Sequence, residues 1–146
     1  DQIWKINAKT GKIMWKLGKD GDFKMDTTCY FSFQHSVHIN PQGDLMVFDN
    51  SLWKKVSGGV SFKLDTVNKV ATTVIKATLP PNKYTSRMGS AYLLPNGNLL
   101  QTSSKTGCVM VTDQKGKILW ELNSYFVPYR AEYVPASIWE HYFTRD

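Results

Sequence analysis

Residues 6–15 read INAKTGKIMW, and a near copy of them, TDQKGKILW, returns at residues 112–120. In each copy, short runs of alternating apolar and polar residues flank a turn that contains glycine, which is the pattern of a β-hairpin. A degenerate third copy, LDTVNKV, occupies residues 64–70 and has Asn68 at the glycine position. The three turns lie 57 and 48 residues apart. The chain therefore contains a repeated hairpin.

A second hairpin motif alternates with the first. It reads NPQGDLM at residues 40–46 and LPNGNLL at residues 94–100, with the two prolines 54 residues apart. Two interleaved hairpins with a period near 50 residues predict about four strands per unit, which is typical of β-propeller blades. The first helical stripe comes only at residues 131–143, and Pro135 interrupts it. The sequence predicts an all-β fold.

The length of the chain limits how many such units it can form. About three four-stranded blades fit into 146 residues. A propeller closes with roughly four to eight blades, so three would leave two apolar sheet faces uncovered. We therefore expect residues 1–146 to form one partial β-propeller domain, completed by further sequence or by another chain. Isolated, the chain should be poorly soluble or oligomeric.

The charge and composition exclude several classes of function. The formal net charge is +6, but the lysines that make up 15 of the 18 basic residues are scattered, and their longest run is Lys54–Lys55. Nucleic-acid binding usually concentrates such residues on one face, so we expect a solvated surface and no nucleic-acid partner; weak attraction to small anions stays open. No apolar run approaches the roughly 18 residues of a membrane helix.

The cysteines and histidines allow two interpretations. Cys29 and Cys108 are too few for a disulfide framework, and the sequence does not decide whether they pair. His35 and His38, with Cys29 upstream, could ligate a metal, but their order matches no standard zinc spacing and we expect no metal. His35 has apolar neighbours and could also be a hydrogen-bonded core residue. His38 should face away from His35 and be structural.

The order of the motifs resembles the arylsulfotransferase family. Residues 1–18 are similar to its D-x-I-W-K-I-D…T-G-x-V-x-W-x-L-G segment, and FSFQH at residues 31–35 with NPQGDLMVFDN at residues 40–50 is similar to F-S-x-Q-H-D…G-N-I-L-V-F-D-N-G. Residues 89–98 resemble a later S-G-A-Q-R-L-P-N-G-N-T-L, and Tyr-Arg-Ala at residues 129–131 resembles a closing Y-R-A. The Q-H…F-D-N order is the most specific part.

This resemblance implies a fold and a reaction. The family is a six-bladed β-propeller with its active site at the central channel, and this chain would be its C-terminal half. The histidine of the Q-H motif, His35 here, would be the nucleophile that takes a sulfuryl group from a phenolic sulfate and passes it to a phenolic acceptor. Such a two-step transfer predicts ping-pong kinetics and no organic cofactor. The resemblance also implies export, to a periplasm or the cell surface.

Several positions depart from the family pattern or extend it. Ser36 stands where relatives often have aspartate, which removes a candidate orienting carboxylate, and Ser51 stands where they have glycine. The family's other catalytic histidines and its key arginine fall in the half that this chain lacks, so we expect the chain alone to be inactive. Arg87 could bind the substrate sulfate or simply lie on the surface. Arg130 is expected to support ring closure.

Two other functions compete with this prediction. The departures at Ser36 and Ser51 favour a non-catalytic propeller segment that serves as a binding or assembly module, since fold does not fix function. Quinone-dependent dehydrogenases share hairpins with the G-x-x-x-W pattern, but the Q-H…F-D-N block argues against that class.

Overall fold

The computed structural model describes residues 1–143 and is built from three antiparallel sheets. The first sheet contains β1 (Gln2–Ile6) and β2 (Ile13–Gly18). The second contains, in spatial order, β3 (His35–Ile39), β4 (Leu45–Asp49), β5 (Gly58–Asp65) and β6 (Val70–Thr78). The third sheet also follows chain order and contains β7 (Ser90–Leu93), β8 (Leu99–Ser103), β9 (Cys108–Thr112) and β10 (Ile118–Asn123). The prediction of an all-β fold is confirmed.

Both repeated motifs form hairpins. The first motif gives the antiparallel pairs β1–β2, β5–β6 and β9–β10, and the second gives β3–β4 and β7–β8. The two complete units are therefore four-stranded, as predicted, whereas the first is two-stranded. This first unit corresponds to the last two strands of the others.

The degenerate turn of the third copy differs in detail from the sequence prediction. The positive φ falls on Lys69, at 56°, rather than on Asn68. The Asn68 amide instead donates to the Asp65 carboxylate at 2.7 Å, and its backbone N–H donates to the other oxygen of Asp65 at 2.9 Å. Asp65 thus supports the start of the turn, as Asp113 does in the copy at residues 112–120.

β4, in the middle of the second sheet, is apolar at four successive positions and is buried on both faces. Leu45 and Val47 point into a core shared with the first sheet, and Met46 and Phe48 point into a core shared with the third sheet. All four side chains are buried. The three sheets therefore stack in chain order.

The outer sheets leave apolar side chains in contact with solvent. Trp4 and Met14 on the first sheet, and Trp120 on the third, are each about half exposed. The one α-helix within residues 1–143, α1 (Ala136–Phe143), follows Pro135, and each of its residues is exposed. Proline at the start of the helix explains why only the second part of the predicted stripe is helical. No helix within residues 1–143 is long and apolar enough to span a membrane.

Candidate active site

His35 begins β3 and is held in an irregular piece of backbone. It pairs with Phe48 of β4, and the register of the two strands shifts directly after it. Phe33 and Ser36, on either side, have positive φ values of 51° and 57°. Such values are uncommon for residues other than glycine and cluster at functional sites. The strand therefore presents His35 half-buried at its end rather than in the regular alternation of a sheet.

Hydrogen bonds assign the protonation of the His35 ring. Nδ1 lies 2.8 Å from the Phe33 carbonyl oxygen and 2.8 Å from Asn50 Oδ1. The Asn50 orientation follows from its own amide nitrogen, which donates to the carbonyl oxygens of Thr85 and Met88, both at 2.8 Å. Since both groups at Nδ1 are acceptors, Nδ1 carries the proton. Nε2 therefore keeps its lone pair.

The lone pair of Nε2 faces the 85–89 loop, between β6 and β7. The backbone N–H of Met88 donates to His35 Nε2 at 3.3 Å. The loop is bent by positive φ values at Met88 (59°) and Gly89 (100°), and the Thr85 hydroxyl donates to the Arg87 carbonyl at 2.8 Å. This geometry places a backbone donor directly in front of a nitrogen that could act as a nucleophile.

Gly89 is the residue that allows this loop to approach β4 closely. A Cβ at that position would lie 2.6 Å from a ring carbon of Phe48 and 2.6 Å from the Thr102 carbonyl oxygen. Both the backbone conformation and the lack of space therefore require glycine. The loop is also bonded to the segment that follows β10, because Gly89 donates its N–H to the Tyr129 carbonyl at 3.3 Å.

The F-D-N motif builds the wall behind His35. Phe48 packs in the second core, Asn50 is fully buried, and Asp49 Oδ1 accepts the backbone N–H groups of Ser32 at 2.9 Å and Ser51 at 2.8 Å. Burial raises the pKa of the Asp49 carboxyl. Ser51 has a φ of 37°, in the left-handed region that glycine adopts at least cost.

Arg87, the second predicted site residue, lies in the same loop. Its neighbour Met88 contacts His35, so sequence-distant Arg87 and His35 come to one end of the sheet. The Arg87 side chain is exposed. The structure thus brings the loop and the histidine together, and it leaves the guanidinium facing solvent.

The remaining candidates lie outside this contact. His38 Nδ1 is 2.9 Å from the Ser36 carbonyl oxygen, and its ring packs against that of Tyr92 of β7, with 4.8 Å between the ring centroids and 34° between the planes. Arg130 pairs with Glu132 at 3.4 Å and lies over the Tyr129 ring. Hydrogen bonds of its side chain to Tyr129 and then to Tyr92 are the main reasons that the pKa of the Arg130 guanidinium is raised.

Cys29 and Cys108 are both buried and free, so they do not pair with each other. Within the described part of the chain, no three His, Cys, Asp or Glu side chains come together in a way that could hold a metal ion.

Sequence reasoning missed two groups of the site. Asn50 orients His35, whereas Ser36, which follows His35 in the sequence, has a buried hydroxyl without a hydrogen-bond partner in residues 1–143. Asn50 could have been found from the sequence, because it is the last residue of the F-D-N motif. Met88 acts through its backbone N–H, which no residue-type pattern could reveal.

A family comparison decides the relationship. The model of the family described as Arylsulfotransferase (ASST) matches residues 1–125.

This chain belongs to the arylsulfotransferase family.

The matched range of the arylsulfotransferase model includes all ten strands, His35, Asn50 and the 85–89 loop, and it ends before α1. The Tyr-Arg-Ala segment at residues 129–131 lies outside it. A comparison with curated proteins finds no match. Family membership supports a transferase of sulfuryl groups at the level of the family.

Proposed function

We propose that this chain carries the nucleophile of an aryl-sulfate sulfotransferase. His35 Nε2 attacks the sulfur of a phenolic sulfate, an N–S bond forms, the S–O bond to the phenol breaks, and phenolate leaves. A phenolic acceptor then attacks the same sulfur and regenerates His35. The observation that carries the proposal is the assigned tautomer of His35, with Nδ1–H held by two acceptors and Nε2 unprotonated.

Asn50 and Phe33 act as positioning groups in this proposal. Attack by Nε2 places positive charge on the ring, and Nδ1–H, which remains bonded to the Asn50 and Phe33 oxygens, shares that charge. The acceptor phenol loses its proton when it attacks, so a base must stand near it. None of the residues described above fills that role, which fits a site completed by other parts of the ring.

The 85–89 loop supplies the anion contact. Attack on sulfur requires the Met88 N–H to move off the lone pair of Nε2, and the displaced N–H can then donate to a sulfuryl oxygen. Arg87, one residue away and exposed, supplies a cation for the same oxygens. We therefore include Arg87 among the residues that we propose bind the substrate.

The proposal includes a larger β-propeller. The two four-stranded meanders would be two of its six blades, the β1–β2 hairpin would be the outer half of another, and residues 1–146 would be the C-terminal half of the domain. The exposed apolar side chains of the outer sheets support this, since neighbouring blades would cover them. The ring would be completed in cis, by another chain or by a second copy. By family resemblance the enzyme would work in a periplasm or at the cell surface, without an organic cofactor.

Pre-steady-state kinetics of the full-length protein test this function. Mixed with p-nitrophenyl sulfate, the protein should release one equivalent of p-nitrophenol per site in a burst, followed by turnover that depends on an added phenol. His35→Asn should abolish the burst, whereas His38→Asn should keep it. Full sulfuryl transfer by the His35→Asn protein would exclude the mechanism.

A second function, a non-catalytic binding or assembly module, has one specific observation in its favour. Both ring nitrogens of His35 have hydrogen-bond partners within the chain, as in a structural histidine. If the full-length protein lacks the family's partner histidines and arginine and shows no burst, this function takes precedence.

A further inference from the structure

A cavity of about 240 Å³ opens at the end of the second sheet, where β4 ends, β5 begins and β6 ends. It is separate from the His35 contact, since neither His35 nor the 85–89 loop lines it. Its polar lining includes Thr28, Asp49, Lys54, Ser57, Lys76 and Thr78. Two lysines, Lys54 and Lys76, both exposed to solvent, therefore line the same cavity.

The two ammonium groups meet at a single oxygen. Lys54 Nζ donates to the Thr28 carbonyl at 2.8 Å and to the Tyr30 carbonyl at 3.2 Å. Lys76 Nζ donates to the same Thr28 carbonyl at 3.1 Å. Because they share one acceptor, the two positive charges are no more than about 6 Å apart and repel each other. A neutral carbonyl between them offsets little of that repulsion.

Nearby carboxylates do not neutralise the pair by direct contact. Among residues 1–143, the ion pairs are Lys83–Glu121 and Arg130–Glu132, so neither cavity lysine has one. The Thr28 N–H donates to the Asp26 carboxylate at 2.8 Å and is the main reason that the pKa of Asp26 is lowered, with a smaller contribution from the charges of Lys76 and Lys54. Asp49 directs one oxygen to two backbone N–H groups. Burial raises the pKa of Asp49, and the nearby charge of Lys54 opposes that shift.

The lysines also retain unused donors. An ammonium group has three N–H donors. Lys54 gives two to carbonyl oxygens, and Lys76 gives one to the Thr28 carbonyl and a long contact of 3.4 Å to the Thr28 hydroxyl. Each lysine therefore keeps at least one donor for a further acceptor at the cavity.

We propose that this cavity binds a small tetrahedral oxoanion, such as sulfate or phosphate, between Lys54 and Lys76. The anion accepts the unused N–H of each lysine and converts a repulsive pair into an attractive bridge. The cavity volume accommodates one such ion with part of its hydration shell. The site is independent of the proposed sulfuryl transfer at His35.

Titration calorimetry on the full-length protein tests the site, with sodium sulfate as the probe and sodium chloride of equal ionic strength as the reference. Sulfate should bind the native protein, and Lys76→Gln should weaken that binding about 10-fold or more, which corresponds to the loss of one charge-assisted contact. Lys76→Arg, which keeps the charge, should bind. Lys63→Gln removes an exposed lysine from β5 outside the cavity and should bind like the native protein.

Two further experiments distinguish binding at this cavity from general salt effects and from binding at His35. Sulfate should raise the unfolding temperature of the native protein but not that of Lys76→Gln, which should fold at least as well without sulfate because the repulsion is gone. His35→Asn should bind sulfate unchanged, whatever the outcome of the transfer experiments. Phosphate in competition shows which oxoanion the site prefers. Equal sulfate binding by the native and Lys76→Gln proteins, loss of binding in His35→Asn, or heats matched by chloride would overturn the proposal.

Discussion

Asn50 Oδ1 lies 2.8 Å from His35 Nδ1, while the amide nitrogen of the same side chain donates to two carbonyl oxygens of the 85–89 loop. One fully buried amide thus fixes both the ring that offers a lone pair and the loop that faces it. Its three hydrogen bonds are all directional, so replacement by a residue of similar volume would not reproduce them.

Asn50→Ala should therefore lower kcat of the full-length protein by about 100-fold, because a misplaced nucleophile loses alignment with the sulfur. A purely structural role would not change the ring tautomer. Two-bond ¹⁵N–¹H correlations of His35 should show one Nδ1–H tautomer in the native protein and a mixture in Asn50→Ala. Asn96→Ala, in an exposed turn, is the matched control and should alter neither. An unchanged tautomer in Asn50→Ala would contradict the role given to Asn50.

Gly89→Ala should destabilise the fold by about 3 kcal/mol, because it adds overpacking against Phe48 to the strain of a positive φ. Gly43 has a similar φ of 87° but no atom within 4 Å of a built Cβ, so Gly43→Ala should cost only about 1 kcal/mol. The difference between the free energies of unfolding of the two variants, measured with urea, gives the steric contribution at Gly89. Equal losses would show that the loop can retreat from β4 without cost.

Gln101 joins the second and third sheets through a buried side chain. Its Oε1 accepts the Gly59 N–H at 2.8 Å, and its Nε2 donates to the Thr112 hydroxyl at 2.8 Å. Gln101→Leu leaves a buried backbone N–H without an acceptor and should cost about 1–3 kcal/mol in urea unfolding. Gln42→Leu, at an exposed turn, should stay within about 0.5 kcal/mol of the native protein. If Gln101→Leu left the free energy of unfolding unchanged, the packing of the second and third sheets would not depend on the Gln101 side chain.

Asp49 predicts a pH dependence of stability. Burial raises its pKa in the folded state above the ordinary value of 3.8, so the folded state binds more protons than the unfolded state between these two values. The contribution of Asp49 to stability should therefore fall as the pH rises from 3.8 through the raised pKa. Asn at this position keeps the acceptor oxygen for Ser32 and Ser51 without the buried charge.

Asp49→Asn should accordingly be as stable as the native protein or more stable at neutral pH, and this advantage should disappear in acid, where the native Asp49 is protonated. The free energy of unfolding, followed by urea at several pH values, measures the effect. The opposite slope, with the advantage of Asn growing in acid, would contradict the assignment.

The hairpins of this fold could be predicted from sequence because the turn chemistry is local. Gly11, Gly43, Gly97 and Gly116 all have positive φ, as the motifs predicted, whereas the unfavourable φ at Lys69 could not be anticipated from a degenerate copy. Only part of the site could be predicted from the sequence. His35 stood out through its motif, but its support comes from Asn50, 15 residues away, and from a backbone N–H, 53 residues away. Such contacts depend on how the sheets stack on one another, and local sequence motifs do not show which distant residues this brings together.

Peptide mapping after a single turnover tests the central claim most directly. The full-length protein is mixed with an aryl sulfate in the absence of an acceptor and digested by trypsin at alkaline pH, which preserves N-linked sulfuryl groups. The tryptic peptide of residues 25–54 contains both His35 and His38, so fragmentation must place the added group. The account predicts one sulfuryl group on His35 and none in His35→Asn; release of phenol with the group on another residue, or with no protein adduct, would contradict it.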